Sequence, residues 1–331
     1  MKLKTLLAVA ALVAAFTPAA HAGLALTTDG INAGFTLSTF VSGYNFGNYG
    51  PLSQAVLPNG NIVTGSYGSD RVYVFKDVDN QALGDALFAN PYTFETGNPN
   101  MALATVGGQA YGGQLSGGVF YHFDNTGAYV PIGGATQTDL RVHLGMWGSV
   151  SGKLIASTNH GLAEIDTATG AYRIINAGLF PDGVSTSLDG SVIFAENNSR
   201  IESYDTATGA LIHVYTSTEG HGADGTGVIT GGAYNGDVIV NNNDGTLGLL
   251  DILNDTMLII ANGGSRGDFT SADTNNGTLF ISQIEQVLRL SCGAGCSIGG
   301  PSTVPEPGML ALVALALGGI GFVRVRRTRR A

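Results

Sequence analysis

Asp166-Thr-Ala-Thr-Gly170 recurs as Asp205-Thr-Ala-Thr-Gly209, 39 residues further along the chain. Each copy sits inside a longer pattern. A glycine turn opens a β-rich strand, a short polar link leads to a second strand, and the Asp-x-x-Thr-Gly turn leads to a third. One unit reads Ser151-Gly-Lys-Leu-Ile-Ala-Ser157 and then Leu162-Ala-Glu-Ile-Asp-Thr-Ala-Thr-Gly-Ala-Tyr-Arg-Ile-Ile175. The next reads Asp189-Gly-Ser-Val-Ile-Phe-Ala195 and then Arg200-Ile-Glu-Ser-Tyr-Asp-Thr-Ala-Thr-Gly-Ala-Leu-Ile-His-Val-Tyr215. In such a turn the Asp side chain bonds the backbone and the Gly accepts a positive φ. Asp166, Asp205 and Asp124 therefore read as hairpin formers, not as catalytic acids.

Weaker copies follow the same grammar. Asn59-Gly-Asn-Ile-Val-Thr64 precedes Arg71-Val-Tyr-Val-Phe75, Asn235-Gly-Asp-Val-Ile-Val240 precedes Leu247-Gly-Leu-Leu-Asp251, and Asn276-Gly-Thr-Leu-Phe-Ile281 precedes Gln286-Val-Leu-Arg-Leu290. The turn glycines Gly60, Gly107, Gly152, Gly190, Gly236 and Gly277 are spaced by 47, 45, 38, 46 and 41 residues. Units of forty-odd residues have the period of four-stranded propeller blades. The predicted fold is an all-β, six-bladed β-propeller; seven blades, with residues 23–50 as a partial unit, is the alternative. The last unit stops after its third strand, at Cys292. The strand-like segment Phe35–Val41 near the other end is expected to supply the missing outer strand, since an open β edge would invite aggregation. In their Asp/Asn-Gly-x-Leu/Val-x-Val openings the repeats resemble NHL and SMP-30-type six-bladed propellers.

Composition agrees with short strands and many turns. Of 331 residues 50 are Gly, about twice the usual share, while charged residues make up only 12% and hydrophobic ones 44%. Fifteen Lys and Arg stand against 25 Asp and Glu, a formal charge of −10. This excludes a coiled coil or a charge-rich disordered chain, and it argues against nucleic acid as a partner.

The two ends read as address labels. Met1-Lys-Leu-Lys4, the apolar run Leu6–Phe16 and Ala20-His21-Ala22 have the order of a secretory signal peptide, with signal peptidase expected to cut after Ala22. At the other end Val304-Pro305-Glu306-Pro307 precedes an apolar helix-length stretch, Gly308–Val323, and then Arg324, Arg326, Arg327, Arg329 and Arg330. The two prolines keep the motif extended, and the arginines hold the terminus on the cytoplasmic side. Pro305-Glu306-Pro307, the helix and the basic tail together resemble the PEP-CTERM sorting signal of Gram-negative bacteria. That resemblance implies recognition and cleavage by exosortase after a transient stay in the inner membrane, and association with the cell surface, outer membrane or extracellular polysaccharide matrix. The expected division is thus 1–22 signal peptide, 23–303 propeller and 304–331 sorting signal. Without the labels, 8 Lys and Arg remain against 24 Asp and Glu, so the exported body is strongly acidic and favours cations and cationic partners.

Cys292 and Cys296 are the two cysteines. The glycines between them allow a tight loop, and an oxidising compartment favours a disulfide over metal binding. The residues just before each inner strand can converge at the channel mouth of a propeller. Counting back from the turn glycines gives Asp182, Asp224 and Asp268, with His143 and Asn100 at comparable offsets. Hard oxygen ligands in this number suit Ca²⁺, and in calcium-dependent SMP-30-type lactonases carboxylate and Asn groups bind the metal at that mouth. Asp182-Gly183 and Asp224-Gly225 also read as ordinary turn dipeptides. His221, in Glu219-Gly-His-Gly-Ala-Asp224, is the histidine with carboxylates nearby and a candidate acid–base group of a lyase-like enzyme. Asn241–Asp244 and Glu196–Asn198 read as blade-edge loops able to touch sugars.

Other signatures are missing. There is one Trp, Trp147, and no G-x-x-x-x-G-K-[ST] or H-E-x-x-H. The sequence therefore points to an exported binding or structural propeller associated with extracellular polysaccharide. A lactonase-like or lyase-like enzyme using a divalent ion is the alternative.

Overall fold

Six four-strand units follow one another along the chain and close into a ring. The computed structural model describes residues 23–47, 49–67, 69, 71–91, 102–113, 120–132 and 140–299. The predicted signal peptide and sorting tail lie outside these residues. No helix among the described residues is long and apolar enough to cross a membrane.

In blades 1 to 5 the four strands pair antiparallel in chain order, and blade 6 takes its outer strand from the N-terminal segment. The inner strands are Pro51–Val56, Ala102–Val106, Val142–Gly148, Val184–Thr186, Ala223–Gly231 and Gly267–Asp273, one for each of blades 1 to 6. Each packs against the inner strands of the two flanking blades, and the sixth packs against the first. The six-blade expectation holds. Residues 23–42 do not make a seventh blade, because they complete the edges of blades 5 and 6.

The repeat arithmetic maps onto this ring. All six turn glycines have positive φ and join the first strand of a blade to its second. Gly236, at φ 97°, has nothing near the place of a Cβ, so backbone conformation alone selects glycine there. Asp166 Oδ1 accepts from the backbone N–H of Ala168 and Thr169 and from the Thr169 hydroxyl. Asp205 and Asp124 make the equivalent bonds to Thr208 and Thr126. They are turn formers, as expected from the repeat.

Because blades pack face to face, the middle strands are buried on both sides. Leu154–Thr158 and Val238–Asn242 are buried throughout, whereas much of the outer strand Leu211–Tyr215 faces solvent. The core is a series of layers between blades. Val63, Val74, Leu103 and Tyr121 fill the space between blades 1 and 2, and Phe194, Ile201, Val228 and Val238 that between blades 4 and 5.

Ring closure uses the N-terminal segment. Thr36–Ser42 pairs antiparallel with Gln286–Ser291, Leu37 opposite Leu290, and so forms the fourth strand of blade 6. Phe40 inserts beside Phe280 and Phe75. Arg289 lies over the rings of Phe40 and Phe280 and forms ion pairs with Asp77, Asp79 and Asp273, tying blade 6 to the end of the third strand of blade 1. Ala25–Leu26 adds to the outer edge of blade 5. The last described residues run across the lower end of the channel. Past the Cys292–Cys296 disulfide, whose Cα atoms are 5.6 Å apart, Cys296–Ile298 pairs with Ile229–Gly231. Gly299 then sits between Trp147 of blade 3 and Ala272 of blade 6, on opposite sides of the ring.

Candidate functional site

The upper mouth is the end at which the inner strands begin. Asp182 lies two residues before the inner strand of blade 4, while Asp224 and Asp268 are the second residues of the inner strands of blades 5 and 6. A staircase of glycines sets their spacing. A Cβ on Gly145 would lie 2.6 Å from the Asp182 carbonyl oxygen, one on Gly183 would overlap the Asp224 carbonyl, and one on Gly225 would lie 2.8 Å from that of Asp268. Neither Gly183 nor Gly225 has a positive φ. Asp224-Gly225 lies inside a strand and is not a turn; the glycines of both pairs let neighbouring strands approach at the axis, and the Asp before each is carried to the mouth.

By this register Leu144, which precedes Gly145, is the blade 3 counterpart of Asp182 and Asp224. His143 lies one residue earlier, in Val142–Gly148; its side chain and all of Asn100 fall outside what the structure describes.

The carboxylates share one neighbourhood. Asp224 is 1% exposed, its Oδ1 has no hydrogen-bond partner, and its Oδ2 accepts from Asn243 Nδ2 at 3.2 Å. Burial, then the charges of Asp268 and Asp182, push the Asp224 carboxyl well above its ordinary value. Burial raises Asp268 to about 7, Arg266 opposing and Asp182 assisting. Asp182 and Glu196 are raised as well, chiefly by burial. Glu196 Oε2 faces the Asp182 backbone N–H at 3.4 Å. Burying several like charges together disfavours their ionised forms, and such a cluster in a cleft marks a functional candidate.

Arg266, from the loop before blade 6, supplies positive charge. Its Nη2 is 3.8 Å from Asp224 Oδ2 and its Nη1 is 3.9 Å from Asp268 Oδ2. Its Nε donates to Asn243 Oδ1 at 2.8 Å, and its guanidinium lies 4.8 Å from the centre of the Tyr49 ring. Tyr49 is half-exposed and packs on Tyr67, with ring centres 4.9 Å apart.

His221 does not join Glu219 and Asp224 in an acid–base group. Its Nδ1 meets Asp244 Oδ2 at 2.7 Å, Glu219 pairs with Arg200, and Asp224 belongs to the buried network. The loops at Glu196 and Asn243 read as blade edges from sequence, but the second strand of each blade runs back to the upper face and delivers them to the mouth. Arg266 and Tyr49 carried no sequence signal, since neither occupies a repeated position.

Carboxylate oxygens have the right chemistry for Ca²⁺. Their arrangement does not fit one ion. Among the described residues no group of three or more His, Cys, Asp or Glu is placed to hold a metal, and the cation lying between Asp224 and Asp268 is Arg266.

No family model and no curated protein matches the sequence. Solved structures do. The ring resembles that of a gluconolactonase. The gluconolactonase from Xanthomonas campestris is 13% identical with a TM-score of 0.60, over 82% of this chain and 96% of that one. A second structure described as a gluconolactonase is 12% identical with the same TM-score, over 81% and 97%. The WD40 β-propeller domain of Doa1 is 13% identical with a TM-score of 0.51, over 73% and 78%. At these identities the likeness shows the fold alone, a β-propeller, here of six blades.

Proposed function

We propose that this chain is an exported, exosortase-sorted surface or matrix protein that binds extracellular polysaccharide at the upper mouth of its propeller. The carrying observation is the pairing of half-exposed Tyr49 and Tyr67 beside the Arg266–Asp224–Asp268 network. Aromatic faces give an apolar surface for the C–H face of a sugar ring, while the carboxyls and the guanidinium beside them bond its hydroxyls. The acidic body keeps the protein soluble and away from anionic surfaces. The sorting tail supports export.

Affinity electrophoresis and calorimetry with the producing cell's own polysaccharide test this. Tyr49→Ala with Tyr67→Ala is expected to weaken binding at least ~10-fold, one or two aromatic contacts being worth roughly that much. Unchanged binding by the folded variant would remove the mouth as the site.

A second reading, a lactonase-like or lyase-like enzyme, is favoured by the raised carboxyls of Asp224 and Asp268. A carboxyl poised near neutrality is suited to proton transfer. Turnover of a panel of lactones that Asp268→Asn abolishes would establish that reading in place of simple binding.

A further inference from the structure

The loops at the upper mouth present aromatic side chains on two opposite blades. The inner strands touch in the order of blades 1 to 6 and back to 1, so blades 1 and 4 face each other across the axis. Blade 1 carries the half-exposed pair Tyr49 and Tyr67. Blade 4 carries Phe180, which is half-exposed although its neighbours Leu179 and Pro181 are buried. The Pro181 carbonyl accepts from the Gly145 N–H at 3.2 Å, and Asn176 Oδ1 accepts from the Gly178 N–H at 3.0 Å. Phe180 thus stands on a loop that is fixed on both sides of it. Between the two aromatic surfaces runs an unbroken polar row. Asp182 follows Phe180 by two residues, and its backbone N–H meets Glu196. Gly183 lies against the Asp224 carbonyl, Asp224 accepts from Asn243, Asn243 accepts from Arg266, and Arg266 lies over Tyr49. In this row Asp182, Glu196, Asn243 and Arg266 are partly exposed. The row follows blades 4, 5, 6 and 1. A single sugar ring can rest on one aromatic surface only, because two blades stand between them.

We infer that the mouth takes an internal stretch of a polysaccharide chain, laid along blades 4, 5, 6 and 1, with one sugar ring on Phe180 and another on Tyr49 and Tyr67. This rests on reading the mouth as a saccharide site, and it adds the form in which the saccharide is taken: a run of consecutive sugars, not a monosaccharide or a chain end. Each aromatic surface covers the C–H face of one ring. Hydroxyls of the sugars between them bond the partly exposed polar groups of the row. Once one ring is stacked, the second aromatic surface is met by the same bound chain, at an effective concentration set by the sugars that link the two. Affinity therefore rises steeply when the chain becomes long enough to reach both.

The experiment is calorimetry of the full exported protein with a size ladder, disaccharide to dodecasaccharide, cut from the producing cell's own polysaccharide and reduced at the chain end to the alditol. Wild type is expected to bind the longest fraction at least ~10-fold more tightly than the disaccharide, the altered chain end making no difference. Phe180→Ala should lower affinity for the longest fraction by about 10-fold. It should leave the disaccharide, which rests on the larger tyrosine surface, within about twofold of wild type, and Phe180→Tyr should bind as wild type does. Truncating this half-exposed side chain leaves the fold intact, and thermal melting checks that. Tyr49→Ala with Tyr67→Ala should weaken every fraction; if that variant fails to fold, Tyr67→Ala alone takes its place. No binding of any fraction by wild type would overturn this inference together with the saccharide reading. Affinity that does not grow with chain length, or a folded Phe180→Ala protein with wild-type affinity for the longest fraction, would overturn this inference alone and leave the mouth as a site for a short saccharide. A Phe180→Ala protein that keeps that affinity but sediments as a smaller species would overturn it too, and would make Phe180 a contact between copies of this chain.

Discussion

Replacing Phe40 by Ala tests the closure of the ring. The side chain is fully buried, lies with ring centres 4.8 Å from Phe280 and 6.2 Å from Phe75, and stands 5.0 Å from the Arg289 guanidinium. Truncating a buried Phe costs about 3–5 kcal/mol through lost burial and the cavity left behind. Loss of the cation–π contact adds roughly 0.5–1 kcal/mol. A total near 4 kcal/mol corresponds to a fall in Tm of about 8–16 °C for a domain of this size. Urea unfolding followed by Trp147, in blade 3 and far from the latch, reports the global change. Hydrogen exchange reports whether it starts locally. The amides of 36–42 and 286–291 should lose protection together, because they are partners in one sheet. Leu253→Ala, at an 89% exposed site, is the control and should stay within about 0.5 kcal/mol. A Phe40→Ala protein within 1 kcal/mol of wild type, or one whose 286–291 amides stay protected, would refute the latch. Deleting residues 24–42 should go further, lowering Tm sharply and promoting aggregation through the open edge.

Gly183→Ala should destabilise by roughly 3 kcal/mol or more, because its methyl must displace the Asp224 carbonyl; Gly236→Ala, strained only in φ, should cost about 1 kcal/mol in the same denaturation assay. The raised Asp268 carboxyl, about 7 when folded against an ordinary 3.8, binds its proton more tightly in the folded state. Its stabilisation is therefore complete below about pH 4 and lost as pH rises through about 7. Asp268→Asn should flatten that part of the stability–pH curve, and an unchanged slope would show that the carboxyl titrates normally. Pro305→Ala with Pro307→Ala should leave a full-length, membrane-retained precursor, whereas the exported wild type should lose roughly its last two dozen residues; an intact mass still ending at Ala331 would reduce the tail to a simple anchor.

The architecture was legible before any contact was known because the repeat is a local signal. Each Asp-x-x-Thr-Gly and Asn/Asp-Gly turn needs particular residues for its own backbone, so Asp166, Asp205 and the six turn glycines display the blades without knowledge of any contact. The position of the latch also followed locally, from one blade short of a strand and one strand short of a blade. Asp182, Asp224 and Asp268 were legible as residues entering inner strands, since each stands a short way before the turn glycine of its own blade. What lies between them was not. Arg266 and Tyr49 come from irregular loops, and Glu196 and Asn243 from second-strand ends. These positions converge only after the blades have closed around the axis. Even the Asp-Gly pairs changed meaning there, from turn dipeptides to the close contacts that set the width of the mouth. His221 likewise found Asp244, 23 residues away in sequence, instead of its nearer acidic neighbours. Turn chemistry is fixed within a few bonds of the chain, whereas the charge balance of a channel mouth is a sum over separate blades, and only the closed ring brings those charges within a few ångströms of one another.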